Sequence, residues 1–174
     1  MRRILVITPI VLGVLASANV DLAVARNPSQ AQIQKAVRRA EHSTQLWATV
    51  NVCNSHRYPN YLGVRGQMPA LGFAAWLSMD IRLYYYARGK HRFLPVLSHG
   101  TKLVRLGREA KGLQQGGVLF QFAPHQPRLE AVVRFVWRRS GHVLGHTSRA
   151  TTASHPSADY GSPRHYSAAV CKIR

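Results

Sequence analysis

The chain has 174 residues, 46% of them hydrophobic, with 24 Lys and Arg against 6 Asp and Glu, a formal net charge of +18. That length supports one hydrophobic core and one domain. So few carboxylates argue against acid–base chemistry by paired carboxyl groups, while the excess of cations will attract polyanions at low salt.

The N-terminus carries Arg2 and Arg3, an apolar block from Ile4 to Ala16, and the small-residue site Ala23-Val24-Ala25. A charged start, a short apolar run and an A-x-A site predict a secretory signal cleaved after Ala25. An uncleaved anchor is the competing reading. The run is shorter than the ~20 residues that span a bilayer, and it contains Pro9 and Gly13. No later stretch is apolar enough to span, so the expected address is extracellular or associated with the cell envelope. Cys53 and Cys171 are the only cysteines, and in an exported chain an even pair predicts a disulfide. Two thiols on a metal would supply only half of a four-ligand set.

From Asn27 to Ser43 the residues Ile33, Ala36, Val37 and Ala40 recur at helical spacing, with Ser29 placed as an N-cap. A short helix or leader is expected over residues 26–45. Lys35, Arg38 and Arg39 suit its C-terminal half, as a solvated face or as a membrane or polyanion contact. At Leu46 the period changes to two. Leu46, Ala48, Val50 and Val52 form one face of a strand and Trp47, Thr49, Asn51 and Cys53 the other, followed by a turn-rich connection at residues 54–60.

A second strand is expected from Tyr61 to Met68, then a long crossing loop from Pro69 to Trp76. Met79, Ile81, Leu83, Tyr85 and Ala87 next alternate with Asp80, Arg82, Tyr84, Tyr86 and Arg88, the pattern of a core strand with a polar outer face. Shorter strands are expected at Phe93–Leu97, Thr101–Leu106 and Gly117–Ala123, with turns at 98–100, 107–112 and 114–117. Leu129, Ala131, Val133, Phe135 and Trp137 then give the clearest alternation in the chain. Ser140-Gly141 turns it into a return strand through Val143 and Leu144. Residues 150–166 are rich in Ser, Thr and Pro and predict a long solvated loop, and a last strand from Tyr166 to Ile173 carries Cys171. Seven to eight short strands and almost no helix predict an all-β, immunoglobulin-like antiparallel sandwich over residues 46–174.

The succession Trp47–Cys53, Gly66–Met68, Met79–Tyr86 and Val132–Leu144, with its F-x-W strand, Gly turn and V-L return, resembles uncharacterised small secreted proteins of high-GC Gram-positive bacteria. Those are immunoglobulin-like or fibronectin-like sandwiches. The resemblance implies a fold and an exported address, covers roughly residues 46–150 and Cys171, and transfers no catalytic residue.

Few constellations carry chemistry. His142 and His146 have metal-ligand spacing for a helix, but on a strand they lie about 13 Å apart, beyond the reach of one ion. His155, Asp159 and His165 lie on one loop and are the weak metal candidates. No Gly-x-Ser-x-Gly turn or phosphate-binding loop is present, and no cofactor is implied. The candidate ligand-binding face is Arg82, Tyr84, Tyr86 and Arg88, joined by Arg134 and Arg138 if the two strands are neighbours. Cations alternating with aromatic rings can stack on sugars or bases and pair with phosphates or uronates. The expected function is a non-catalytic binding or structural module at the cell envelope. Alternatives are a binder of anionic polymers, wall polysaccharide or nucleic acid without sequence preference, and a metal-dependent hydrolase using the 150–166 loop. The Arg-rich charge also fits a surface set by composition alone.

Overall fold

The computed structural model describes residues 27–174, and the expected secretory signal, residues 1–25, lies outside them. The first element among the described residues is helix α1 (Gln30–Glu41), capped by Ser29 as expected. The Ser29 hydroxyl accepts from the Gln32 N–H, and the Gln32 side chain accepts from the Ser29 N–H. Its buried stripe is Ala36, Val37 and Ala40, small enough to lie flat on the sandwich.

Nine strands follow: β1 (Trp47–Ser55), β2 (Tyr58–Pro69), β3 (Ala75–Ala87), β4 (Arg92–Pro95), β5 (Thr101–Glu109), β6 (Leu113–Gln121), β7 (Arg128–Arg139), β8 (His142–Ala150) and β9 (Cys171–Lys172). One sheet has the order β1-β2-β6 and the other β4-β3-β7-β8. On the second, β4 and β5 share one edge of β3 end to end, and β9 and β8 share the far edge of β7. The nine strands therefore make three columns over four, an all-β antiparallel sandwich. The all-β antiparallel class is as expected.

The inner faces meet as alternation predicts. Met79, Ile81 and Leu83 of β3 and Ala131, Val133, Phe135 and Trp137 of β7 are buried, opposite Leu62, Val64 and Met68 of β2. Trp137 places its polar atom by donating its indole N–H to the Pro69 carbonyl at 2.9 Å. The β7–β8 hairpin turns at Ser140 and Gly141, both at positive φ, as a two-residue turn that follows the strand twist requires.

Several boundaries differ from the alternation-based reading. Residues 69–76 are not a long loop: β2 runs to Pro69 and β3 starts at Ala75, so only five residues cross between the sheets. Trp76 and Leu77 already alternate, but the alanines around them hide the period. The glycine-rich segments at 107–112 and 114–117 are largely strand, with Gly107 in β5 and Gln114 to Gly117 in β6. Glycine marks close approach here, because a Cβ at Gly116 would collide with Leu106. The expected last strand shrinks to Cys171–Lys172 and pairs with β7.

The largest difference is in β1. A bulge between Val50 and Val52 adds one residue against β2, so Val50 pairs with Val64, Val52 with Gly63 and Cys53 with Leu62. One added residue reverses the faces beyond it. Val52 turns outward and Cys53 turns in beside the core, where it bonds to Cys171. The disulfide is therefore as expected, although the face assigned to Cys53 is not.

The outer face of β1 is also covered. Residues 151–168 lie over it as a third layer and reach β6. Trp47 stacks on His155 with ring centroids 4.7 Å apart, the Thr49 and Ser167 hydroxyls are 2.7 Å apart, and the Asn51 amide donates to the Asp159 carbonyl. The Gln115 side chain bonds both Ser157 and Asp159. The segment expected to be a solvated loop is thus a packed strap.

The disulfide closes a span of 118 residues. Replacing Cys53 and Cys171 together by Ser is expected to cost about 4 to 5 kcal/mol in the chain-entropy account, measured by denaturant unfolding against the oxidised parent. Equal stability would show that the strap holds without it. At Gly145 an added Cβ would fall inside the Val37 methyl of α1. Gly145→Ala is expected to cost about 1 to 3 kcal/mol and to remove hydrogen-exchange protection from α1 first, leaving the β3 and β7 amides protected.

Candidate ligand-binding face

The β3–β7 pairing places the proposed residues on one sheet face. Along β3 the outward positions are Trp76, Ser78, Asp80, Arg82, Tyr84 and Tyr86, and along β7 they are Arg138, Val136, Arg134, Val132, Glu130 and Arg128. Asp80 is directly opposite Arg134, Arg82 opposite Val132, and Tyr84 opposite Glu130. The strands are neighbours, so Arg134 and Arg138 do join Arg82, Tyr84 and Tyr86. Arg88 lies beyond the strand, in the short helical turn Arg88–Lys90.

The patch is not uniformly basic. Asp80 faces Arg134 as an opposite-charge cross-strand pair, and Glu130 brings a second carboxylate to the middle of the face. Burial pushes the Glu130 carboxyl pKa up, opposed by the Arg128 guanidinium. Positive charge is therefore in excess chiefly at the two ends of the face.

At one end Trp76 is 55% exposed, beside Arg138 on β7 and Arg108 on β5. A groove of about 440 Å³ runs here between Trp76, Leu103, Arg105 and Arg138, with Asp80 at its inner limit. At the other end a cleft of about 810 Å³ is lined by Tyr86, Arg88, Arg128, Lys172 and Arg174. The Arg128 guanidinium lies 5.6 Å from the Tyr86 ring centroid, and Phe93 meets the same ring edge-on at 5.3 Å. Tyr86 thus positions a cation, and its ring is already in use.

Trp76, Arg105, Arg128 and Lys172 were missed as candidates. Arg128 shares the parity of Arg134 and Arg138 and lay within reach of the alternation argument, had the strand been started one residue earlier. Trp76 shares the parity of Asp80 and was hidden by the assigned loop. Lys172 could not be placed without the β9 pairing.

The metal candidates are not brought together. The His155 ring stacks on Trp47 and its Nε2 is 2.9 Å from the Thr152 hydroxyl, while His165 Nδ1 is 2.9 Å from the Pro156 carbonyl oxygen. Asp159 is held through its backbone by Asn51 and Gln115. Among the described residues, no three His, Cys, Asp or Glu side chains are grouped to hold an ion. His142 and His146 are both exposed on β8.

No protein-family model matches the chain, and no curated protein matches it. Among solved structures, one assigned as a beta-galactosidase from Bacteroides fragilis is similar, with a TM-score of 0.32 and 11% identity over 64% of this chain. The likeness spans 17% of that protein's chain. At that TM-score it carries no argument about activity.

Burial against Trp47 lowers the His155 pKa, so the folded protein favours the neutral ring. The unfolded chain then binds more protons, and stability present above about pH 6.5 falls as pH falls through the lowered folded value. The melting temperature is expected to drop more steeply between pH 7.5 and 5 in the parent than in His155→Phe, which keeps the stack without the titration. Identical pH profiles would contradict this role.

Proposed function

We propose that the protein is a non-catalytic exported binding module that holds an anionic polymer of the cell envelope along the outer face of the four-column sheet. The observation that carries this reading is the pair of basic, aromatic ends on a single face. Arg128 and Arg138 are the outward β7 residues at the two ends, ten residues apart and so about 33 Å along the strand. One extended polymer could engage both, whereas a small ligand would occupy only one.

Each end offers a different contact. The exposed Trp76 ring, flanked by Arg105 and Arg138, suits a sugar ring carrying or neighbouring an acidic group. Arg82 and Tyr84 lie between the ends, where the polymer would pass over the Asp80–Arg134 pair. The disulfide supports export, since such bonds persist in oxidising compartments. Among the described residues no helix is long and apolar enough to cross a membrane. Nucleic acid would be attracted by the same charge, with loss of binding in salt as its signature.

The test is binding of poly(glycerol phosphate) and of polygalacturonate, measured by calorimetry over a salt series. Affinity for at least one is expected to fall as salt rises and, at fixed salt, to fall about tenfold or more in Trp76→Ala with Arg138→Gln. Binding that vanishes with salt yet is indifferent to Trp76 would reduce the interaction to nonspecific attraction and end this reading.

A further inference from the structure

We propose that the cleft between Tyr86, Arg128 and Lys172 is a phosphate-binding site. The assignment rests on the polymer reading only for the natural source of the phosphate. Arg128 and Lys172 are register partners across the β7–β9 pair, each outward, so their side chains share one face about 5 Å apart at Cβ. Two like charges directly opposite on neighbouring strands destabilise a sheet. Here they are the first of four cations lining one cleft, with Arg88 and Arg174; no Asp or Glu side chain lines it, and the single Glu130 carboxylate that interacts with Arg128 lies outside the lining. A bound anion would relieve that repulsion.

The pair is held in place despite its cost. Across the sheet Phe93 is the partner of Tyr86, and the Tyr86 ring in turn carries the Arg128 guanidinium. On the far side Cys171 is bonded to Cys53, which fixes the strand that presents Lys172, and Ile173 is fully buried. The cations therefore stand on an ordered row, Phe93, Tyr86, Arg128, Lys172, that needs little rearrangement to receive a ligand.

The charge selects the class of anion. A lone carboxylate neutralises one cation, whereas a phosphate monoester carries about −1.5 to −2 at neutral pH and presents three oxygens to Arg and Lys donors. His91 and His125 add two further ring nitrogens at the rim. The site fits a terminal phosphate monoester, or two phosphodiester groups in succession, on a polymer that continues over Tyr84 and Arg82.

The probe is inorganic tripolyphosphate, with citrate as a polycarboxylate of somewhat lower charge, read by calorimetry and thermal unfolding at low salt. Tripolyphosphate is expected to bind about tenfold or more tightly than citrate and to raise the melting temperature. Lys172→Gln and Arg128→Gln should each weaken that binding about tenfold, whereas Arg164→Gln, on the strap, should not. In phosphate-free buffer Lys172→Gln should melt at or above the parent, since it removes the like-charge pair; this separates lost binding from damaged folding. Equal binding of citrate, or tripolyphosphate binding indifferent to both cleft substitutions, overturns the assignment. If the cleft binds tripolyphosphate while neither polymer responds to Trp76→Ala with Arg138→Gln, the site stands and the polymer reading fails.

Discussion

The reversal of side-chain parity in β1 is the constraint on which the rest depends. Without the bulge between Val50 and Val52, Cys53 would point away from the core and could not meet Cys171. One added residue turns the thiol inward, and the resulting crosslink ties the first strand of one sheet to the edge of the other. The chain leading to Cys171 is thereby held against the sandwich, and it packs over Trp47, Thr49 and Asn51. Because that strap covers the β1 side, the outer face of the four-column sheet is the broad strand surface left to meet a partner.

That surface is organised by compensation. Asp80 opposite Arg134 and Glu130 opposite Tyr84 temper the positive charge in the middle of the face. Cations outnumber carboxylates at the ends, where Trp76 and Tyr86 supply the aromatic groups. The two rings act differently: Trp76 is open to solvent, whereas Tyr86 is engaged by Arg128 and Phe93. A surface that reads in sequence as an even ladder of Arg and Tyr is thus two sites joined by a nearly neutral bridge.

Much of the fold was legible because burial on one sheet face imposes a period of two. Met79 to Tyr85 and Leu129 to Trp137 announce themselves, as do the Ser29 cap and the Ser140-Gly141 turn. The reading failed where composition mimics a loop. The alanines before Leu77 and the glycines of β6 sit in strands because the opposing sheet or strand comes close, and closeness is a property of the partner. Residues 150–166 look solvated, yet their backbone groups and small hydroxyls are bonded to β1 and β6. Short polar side chains can pack as well as float, and only their partners distinguish the two.

The sequence by itself determined the sandwich, the one pair of cysteines and the alternation that sets Arg82, Tyr84, Arg134 and Arg138 on outward positions. These follow from local periodicity, which the chain carries along its length. Only the tertiary structure decided that β3 and β7 are neighbours, that Asp80 answers Arg134, and that Lys172 stands across from Arg128. Register between distant strands arises from packing of the whole sheet and from a bulge whose single residue shifts every position beyond it. A binding face is written in the alternation of each strand, but which charges meet on it is settled between strands.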